Sequence, residues 1–298
     1  MSDDAVPAVQ TYRYLRLSMV LLVVGLAASI LVEWRAVGQT CFQTSLSAYY
    51  YTPARGFLVG ALLSIGVCLV VLKGNSARED VLLNVAGMLA PVVAFVPTPD
   101  AGSCTSSPAA FVDRQAHVAN NMSALLALGL VALLLTAGIT WSEHRSRGVP
   151  RSSAVGLAAA FALVAGVTFV FGAFRDEFVD RAHDAAAISM FGCFVGVVVL
   201  NAYDFGRQPS HLGSGRFANR YAAVAVAMGL SVLVIVGVSL VVGWDHAVLW
   251  VEGTLIVLFA VFWSIQTREL WHSASGLRRD SGTAATVDAV RSRASRRA

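Results

Sequence analysis

Charge is scarce in this chain. Of its 298 residues only 13% are Asp, Glu, Lys or Arg, about half the roughly 25% of a soluble domain. That leaves too little polar cover for a water-soluble surface, too few clustered cations for a nucleic-acid-binding face, and the wrong balance for a disordered chain. Cysteine numbers four, too few for a secreted disulfide scaffold of this length. A phosphate-cradling glycine loop, a His-Glu-x-x-His pair and a strand–turn–helix around a nucleophile are also missing. Their absence speaks against ATP-driven transport and a conventional serine hydrolase.

What is present is apolar. Hydrophobic residues make up 56% of the chain, in recurring runs close to the twenty residues that cross a hydrocarbon core about 30 Å thick. Eight spans are expected, at 15–33, 56–73, 81–97, 117–140, 154–172, 183–203, 222–243 and 246–266. Asn84, Gly87 and Pro91 interrupt the third, although a membrane helix tolerates proline where neighbours satisfy the freed carbonyl. The fold class is therefore an all-α, polytopic transmembrane helical bundle over residues 1–271. Residues 272–298, rich in Ala, Ser and Arg, read as a disordered basic cytoplasmic tail. Arg13 and Arg16 precede the first run as in a secretory signal. The run is longer than a signal core and lacks a small-residue cleavage site, so it is expected to remain as the first span.

Positive charge orients the bundle. With the N-terminus in the cytoplasm, 17 of the Lys and Arg residues fall inside and 5 outside, while the acidic residues divide nine and nine. Both termini are thus expected in the cytoplasm of a cell-membrane protein. Trp34 and Trp244 then fall at outer boundaries, and Trp141, Trp263 and Trp271 near inner ones, the headgroup layers that tryptophan favours. Gly56 with Gly60, and Gly192 with Gly196, have the spacing of close helix packing within a bundle. Cys68 and Cys193 lie in spans as apolar packing residues. Cys41 and Cys104 lie in the first two outer loops, on the oxidising side, and are expected to form a disulfide.

The outer rim collects the polar residues. His117, His183 and His246 each begin an inward-running span, which puts three imidazoles at one expected depth. Asp113, Asp180, Asp184 and Asp245 accompany them, with Asn121 a turn below His117 and Glu252 about two turns below Asp245. Asp113, Asp180 and Asp245 also stand where an aspartate caps a helix. Glu252 is different, because an ionisable group inside a span is costly and points to function. Glu33, Arg35 and the run Tyr49–Tyr50–Tyr51 are placed to close the site from the first loop.

The stretch Ser45-Leu-Ser47-Ala-Tyr-Tyr-Tyr-Thr-Pro-Ala-Arg55-Gly-Phe-Leu-Val-Gly60, followed by Asn84-Val-Ala-Gly87 and then by His117 with Ser123 and Ala124, resembles the first four spans of the DRAM/Frag-type family and its bacterial relatives. The resemblance runs from residue 45 to 125. It implies a polytopic membrane protein without established catalysis, and the extra pair of spans departs from that family's usual six. The membrane hydrolases of the ceramidase and adiponectin-receptor type also use Ser, Asp and His around zinc. Their paired His-x-x-x-His is missing here, because His246 is followed at the fourth place by Trp250.

The residues point first to an outward-facing polar pocket, formed by His117, Asn121, Asp180, His183, Asp184, Asp245, His246 and Glu252, that binds or senses a lipid headgroup or small solute without a cofactor. The alternative is a metal-dependent hydrolase of lipid amides or esters at the outer leaflet. There His117, His183 and His246 hold zinc with one coordination position open, and Asp184 or Glu252 serves as general base. A proton-coupled transporter using Glu252 is a third. Membrane lipids are the expected partners, with a small solute or lipid as ligand, and nucleic acid is not.

Overall fold

A computed structural model describes residues 5–39, 41–102, 104, 113–147, 151–207 and 219–271. These form eight α-helices with no strand among the described residues: α1 Ala5–Ala36, α2 Arg55–Val71, α3 Ala77–Phe95, α4 Arg114–Arg147, α5 Arg151–Ala173, α6 Arg175–Gly206, α7 Arg220–Val242 and α8 Ala247–Leu270. Six of them, α1 and α4 to α8, are long and apolar enough to cross a membrane. The protein is a multi-pass membrane protein. Helix α2 is apolar but shorter, at 17 residues, and α3 runs unbroken through Asn84, Gly87 and Pro91. The tail from 272 onward, with His272, and the segment containing His211 lie outside the described residues.

Helix contacts close a ring. Helix α1 packs on α2 and α8, α3 on α2 and α6, and α7 on α6 and α8. The α4–α5 pair lies outside this ring of six, against α3 and α6. Its outward side chains, such as Leu128, Leu134, Leu135, Phe161 and Phe169, are exposed, as befits a face solvated by lipid.

Where α2 crosses α3 the backbones touch. A Cβ at Gly66 would stand 2.8 Å from the Gly87 carbonyl oxygen. Pro91, four residues on, has no N–H to return to that carbonyl, so the freed oxygen faces the Gly66 backbone. Gly56, Gly60 and Gly192 have nothing within 4 Å of an added Cβ, while Gly196 approaches Leu82. The close approach expected at the two spaced glycine pairs is therefore made at Gly66 and Gly87, because spacing along one helix does not say which way it faces.

Two polar layers are buried in this bundle. One lies near the end of α3 that carries its first turn. Glu79, 1% exposed, accepts from Asn75 N (2.7 Å) and Asn201 Nδ2 (2.9 Å), and Gln266 Nε2 donates to Asn201 Oδ1 (3.2 Å). Loop, α3, α6 and α8 are thereby joined. The other layer surrounds His183, which precedes Asn201 on α6 by about 27 Å at the helical rise. That separation is close to the ~30 Å of a hydrocarbon core.

A cap closes the bundle at the His183 end. It is built from residues 37–39 and 41–54, which include a 3-10 turn at Ser47–Tyr51, and from residues 96–102 with Cys104. Cys41 and Cys104 are disulfide-bonded, with Cα atoms 5.8 Å apart, within the range a bridge requires. Tyr51 Oη donates to Thr98 O (2.7 Å) and Thr44 Oγ1 to Asp100 Oδ2 (2.7 Å). Leu249 N, in the first turn of α8, donates to Thr44 O (3.0 Å), so α8 is pinned to the cap.

Candidate functional site

The site forms where the cap's 3-10 turn dips between α6 and α8. Ser45 Oγ accepts from Ala48 N (3.0 Å), the usual way a serine holds a tight turn, and this presents Ser47 to the bundle. Ser47 Oγ lies 2.8 Å from His183 Nε2 and 3.1 Å from Glu252 Oε1. Glu252 Oε2 accepts from Leu46 N at 2.7 Å. On its other side, His183 Nδ1 lies 2.6 Å from the Val96 carbonyl oxygen.

The partners fix the tautomer. A carbonyl oxygen only accepts, so Nδ1 of His183 carries a proton. In the neutral imidazole Nε2 is then bare and accepts the Ser47 hydroxyl proton. Ser47 has no second proton, so the contact from Glu252 Oε1 to Ser47 Oγ is made by a proton on Glu252. With His183 as imidazolium the direction reverses, Nε2–H to Oγ and Oγ–H to the carboxylate. In both arrangements every bond is satisfied. Val96 orients the ring, Ser47 joins it to the carboxyl group, and the three side chains form one chain of hydrogen bonds.

An apolar cavity of about 70 Å³ opens beside Ser47 and Glu252, the polar side chains of its lining. It is bounded by Val23, Leu58, Ala86, Val93, Met190, Phe194 and Ile256, among others, from α1, α2, α3, α6 and α8. Phe194 lies about 16 Å beyond His183 along α6, roughly the depth of one leaflet's share of the core. The imidazole of His183 is 4% exposed and stands behind Ser47 rather than in the lining.

The remaining rim residues take separate places. His117 Nδ1 accepts from Arg55 Nη2 (3.1 Å), which also donates to Tyr50 Oη (2.8 Å) with its guanidinium 4.2 Å from the Tyr50 ring centroid. His246 Nδ1 donates to Gln43 O (3.2 Å). Asp180 pairs with Arg114 (3.5 Å), Asn121 accepts from Asn120 (3.5 Å), and Asp184 and Asp245 are exposed. Of the aspartates expected to cap helices, Asp113 does so, accepting from Ala116 N (3.1 Å). Burial pushes the phenols of Tyr49, Tyr50 and Tyr51 above their usual value, at Tyr50 against the pull of Arg55. All three stay neutral.

Depth explains why the histidines part. Helix α6 starts at Arg175, two turns before His183, whereas His117 lies in the first turn of α4 and His246 immediately precedes α8. Among the described residues no three His, Cys, Asp or Glu side chains are grouped to hold a metal ion. The residues expected to share one pocket reduce to His183 and Glu252, joined by Ser47. Ser47 and the Val96 carbonyl were not singled out by sequence as site residues. Ser47 itself is marked only by the resemblance of the Ser45–Gly60 stretch, and a backbone carbonyl leaves no mark in a sequence.

No protein-family model, curated protein or solved structure matches the chain.

Proposed function

We propose that the protein binds a membrane amphiphile inside its helix ring, with the acyl portion in the apolar cavity and the polar end at Ser47 and Glu252. The observation that carries this is the lining itself: an apolar chamber whose polar side chains, Ser47 and Glu252, stand together at one end. A small solute would leave the apolar walls without a partner, whereas an acyl chain fills them with van der Waals contacts. At about 70 Å³ the cavity holds a short stretch of chain; an engineered cavity of about 150 Å³ takes benzene.

The capped end faces outward in this proposal, all eight helices cross the cell membrane, and both termini are cytoplasmic. Support comes from the 17-to-5 division of positive charge and from the Cys41–Cys104 bridge, which persists on an oxidising side. Membership of the DRAM/Frag-type family is proposed on residues 45–125, namely the Ser45–Gly60 stretch that supplies both Ser47 and Arg55, Asn84-Val-Ala-Gly87, and His117 with Ser123 and Ala124.

The test is fluorescence titration of the purified protein with a dansyl-labelled fatty acid. Saturable binding should be weakened at least tenfold by Ala187→Leu, which fills the cavity, and unaffected by Ala225→Leu on α7, outside the lining. Equal binding by both variants would place the ligand elsewhere.

A further inference from the structure

We infer that Ser47 is an acyl-accepting nucleophile with His183 as its base, so that the site cleaves a carboxylic ester of a membrane amphiphile. The substrate class rests on the amphiphile seat proposed above; the dyad itself rests on separate geometry.

Four features place the parts. Ser47 Oγ and His183 Nε2 are 2.8 Å apart, the reach required of a nucleophile and its base. Val96 O holds the far ring nitrogen at 2.6 Å, filling the orienting role that a carboxylate has in other serine sites. Ser47 lines the cavity and His183 stands directly behind its hydroxyl, so an ester in the cavity meets Oγ first, with Nε2 one hydrogen bond beyond it. Glu252 Oε1 lies 3.1 Å from Oγ and lines the same cavity. Its proton, required when His183 is neutral, is available to an oxygen that becomes negative beside Oγ. A carboxylic acid kept neutral to donate in this way is an established device for oxyanions.

The step balances with water as the second reactant. Ser47 Oγ bonds to the ester carbon as its proton passes to His183 Nε2. The carbonyl oxygen takes the negative charge against Glu252. The carbon–alkoxy bond then breaks, and the leaving oxygen takes the proton from Nε2. Water attacks the acyl-Ser47 carbon, gives one proton to His183 and releases the fatty acid, and Nε2 returns the proton to Ser47. No electron transfer is involved.

The experiment uses the full chain in detergent and in lipid nanodiscs, treated with a small aryl sulfonyl fluoride or a long-chain alkyl fluorophosphonate, with adducts located by peptide mass spectrometry. Both reagents should modify Ser47, and His183→Gln should slow the modification by about 100-fold or more, the lower range for loss of a general base. Thermal unfolding reports whether each variant is folded. Ser47→Cys supplies a second check that keeps a nucleophile in place, and its alkylation by iodoacetamide should also slow when His183 is replaced. Inert Ser47 in folded protein, or labelling indifferent to His183, overturns the inference. Dansyl fatty acid binding in the same samples separates the two ideas. Binding with an inert Ser47 removes the ester cleavage and leaves the seat, while labelling by the small reagent without binding supports the dyad and removes the seat.

Discussion

Gly66 and Gly87 meet backbone to backbone where α2 crosses α3, each standing where a Cβ on the other would lie within 2.8 Å of its carbonyl oxygen. The crossing holds together two helices that form one wall of the ring. Adding a methyl group there must push the helices apart. Gly66→Ala and Gly87→Ala should each destabilise by about 1–3 kcal/mol, the usual range for overpacking. Gly56→Ala and Gly192→Ala, with open space at the new Cβ, should be neutral or gain up to ~1 kcal/mol of helix propensity. Thermal unfolding of the four variants in one detergent separates the sites.

The disulfide should stabilise the cap. Cys41 and Cys104 close a loop across 63 residues, worth on the order of 4 kcal/mol in the chain-entropy model. Cys41→Ser should lower the unfolding temperature, and reductant should then have no further effect. Reductant alone should bring the wild-type protein to the same value. A wild-type protein indifferent to reductant would remove the bridge.

Orientation is tested independently. Reporter fusions after residues 10 and 285 should both read as cytoplasmic if the bundle crosses eight times with positive charge inside. Opposite readings would mean an odd number of crossings, and α2 or α3, neither counted among the six long apolar helices, would be the first to be doubted.

Much of the architecture was legible in the sequence because apolar run length is a local property. Each expected span has its helix, and even α3 with Pro91 continues to Phe95. Ring closure was not legible, since nothing in a hydrophobic run says that α1 meets α8 or that α3 meets α6. Glu252 stood out because a carboxyl group in a span has to be explained. Ser47 did not, because a loop serine acquires its chemistry only when the fold brings it under a histidine 136 residues away. His117 and His246 part from His183 because the start of an apolar run does not mark the start of its helix, and α6 begins two turns before His183.

The layer around Glu79 is expected to be structural and sensitive to partial removal. Asn201 donates to Glu79 (2.9 Å) and accepts from Gln266 (3.2 Å), with all three side chains 1% exposed. Asn201→Leu strips one donor from the carboxylate and leaves Gln266 without that acceptor, which should cost about 1–3 kcal/mol or more. Glu79→Gln keeps an acceptor and should cost less. The reverse order in thermal unfolding would mean that the charge, rather than the hydrogen-bond count, holds this layer.

Glu252 can be divided into its possible roles by two substitutions. As donor to an oxyanion it needs a proton-bearing group at Oε1, and an amide supplies one. Glu252→Gln should therefore retain modification of Ser47 by the alkyl fluorophosphonate within about tenfold, because its Nε2–H replaces the carboxylic O–H while its Oε1 still accepts from Leu46 N. Glu252→Leu fills similar space with no donor and strands the Leu46 amide. It should slow the reaction by about 100-fold or more, the scale seen when one oxyanion donor is removed. Binding of the dansyl fatty acid should survive both changes to the extent that its chain, not its head, supplies the affinity. If Glu252 instead acted as a charged base on Ser47, glutamine would be as damaging as leucine. Equal loss in the two variants, with both folded, would reassign Glu252 from donor to base.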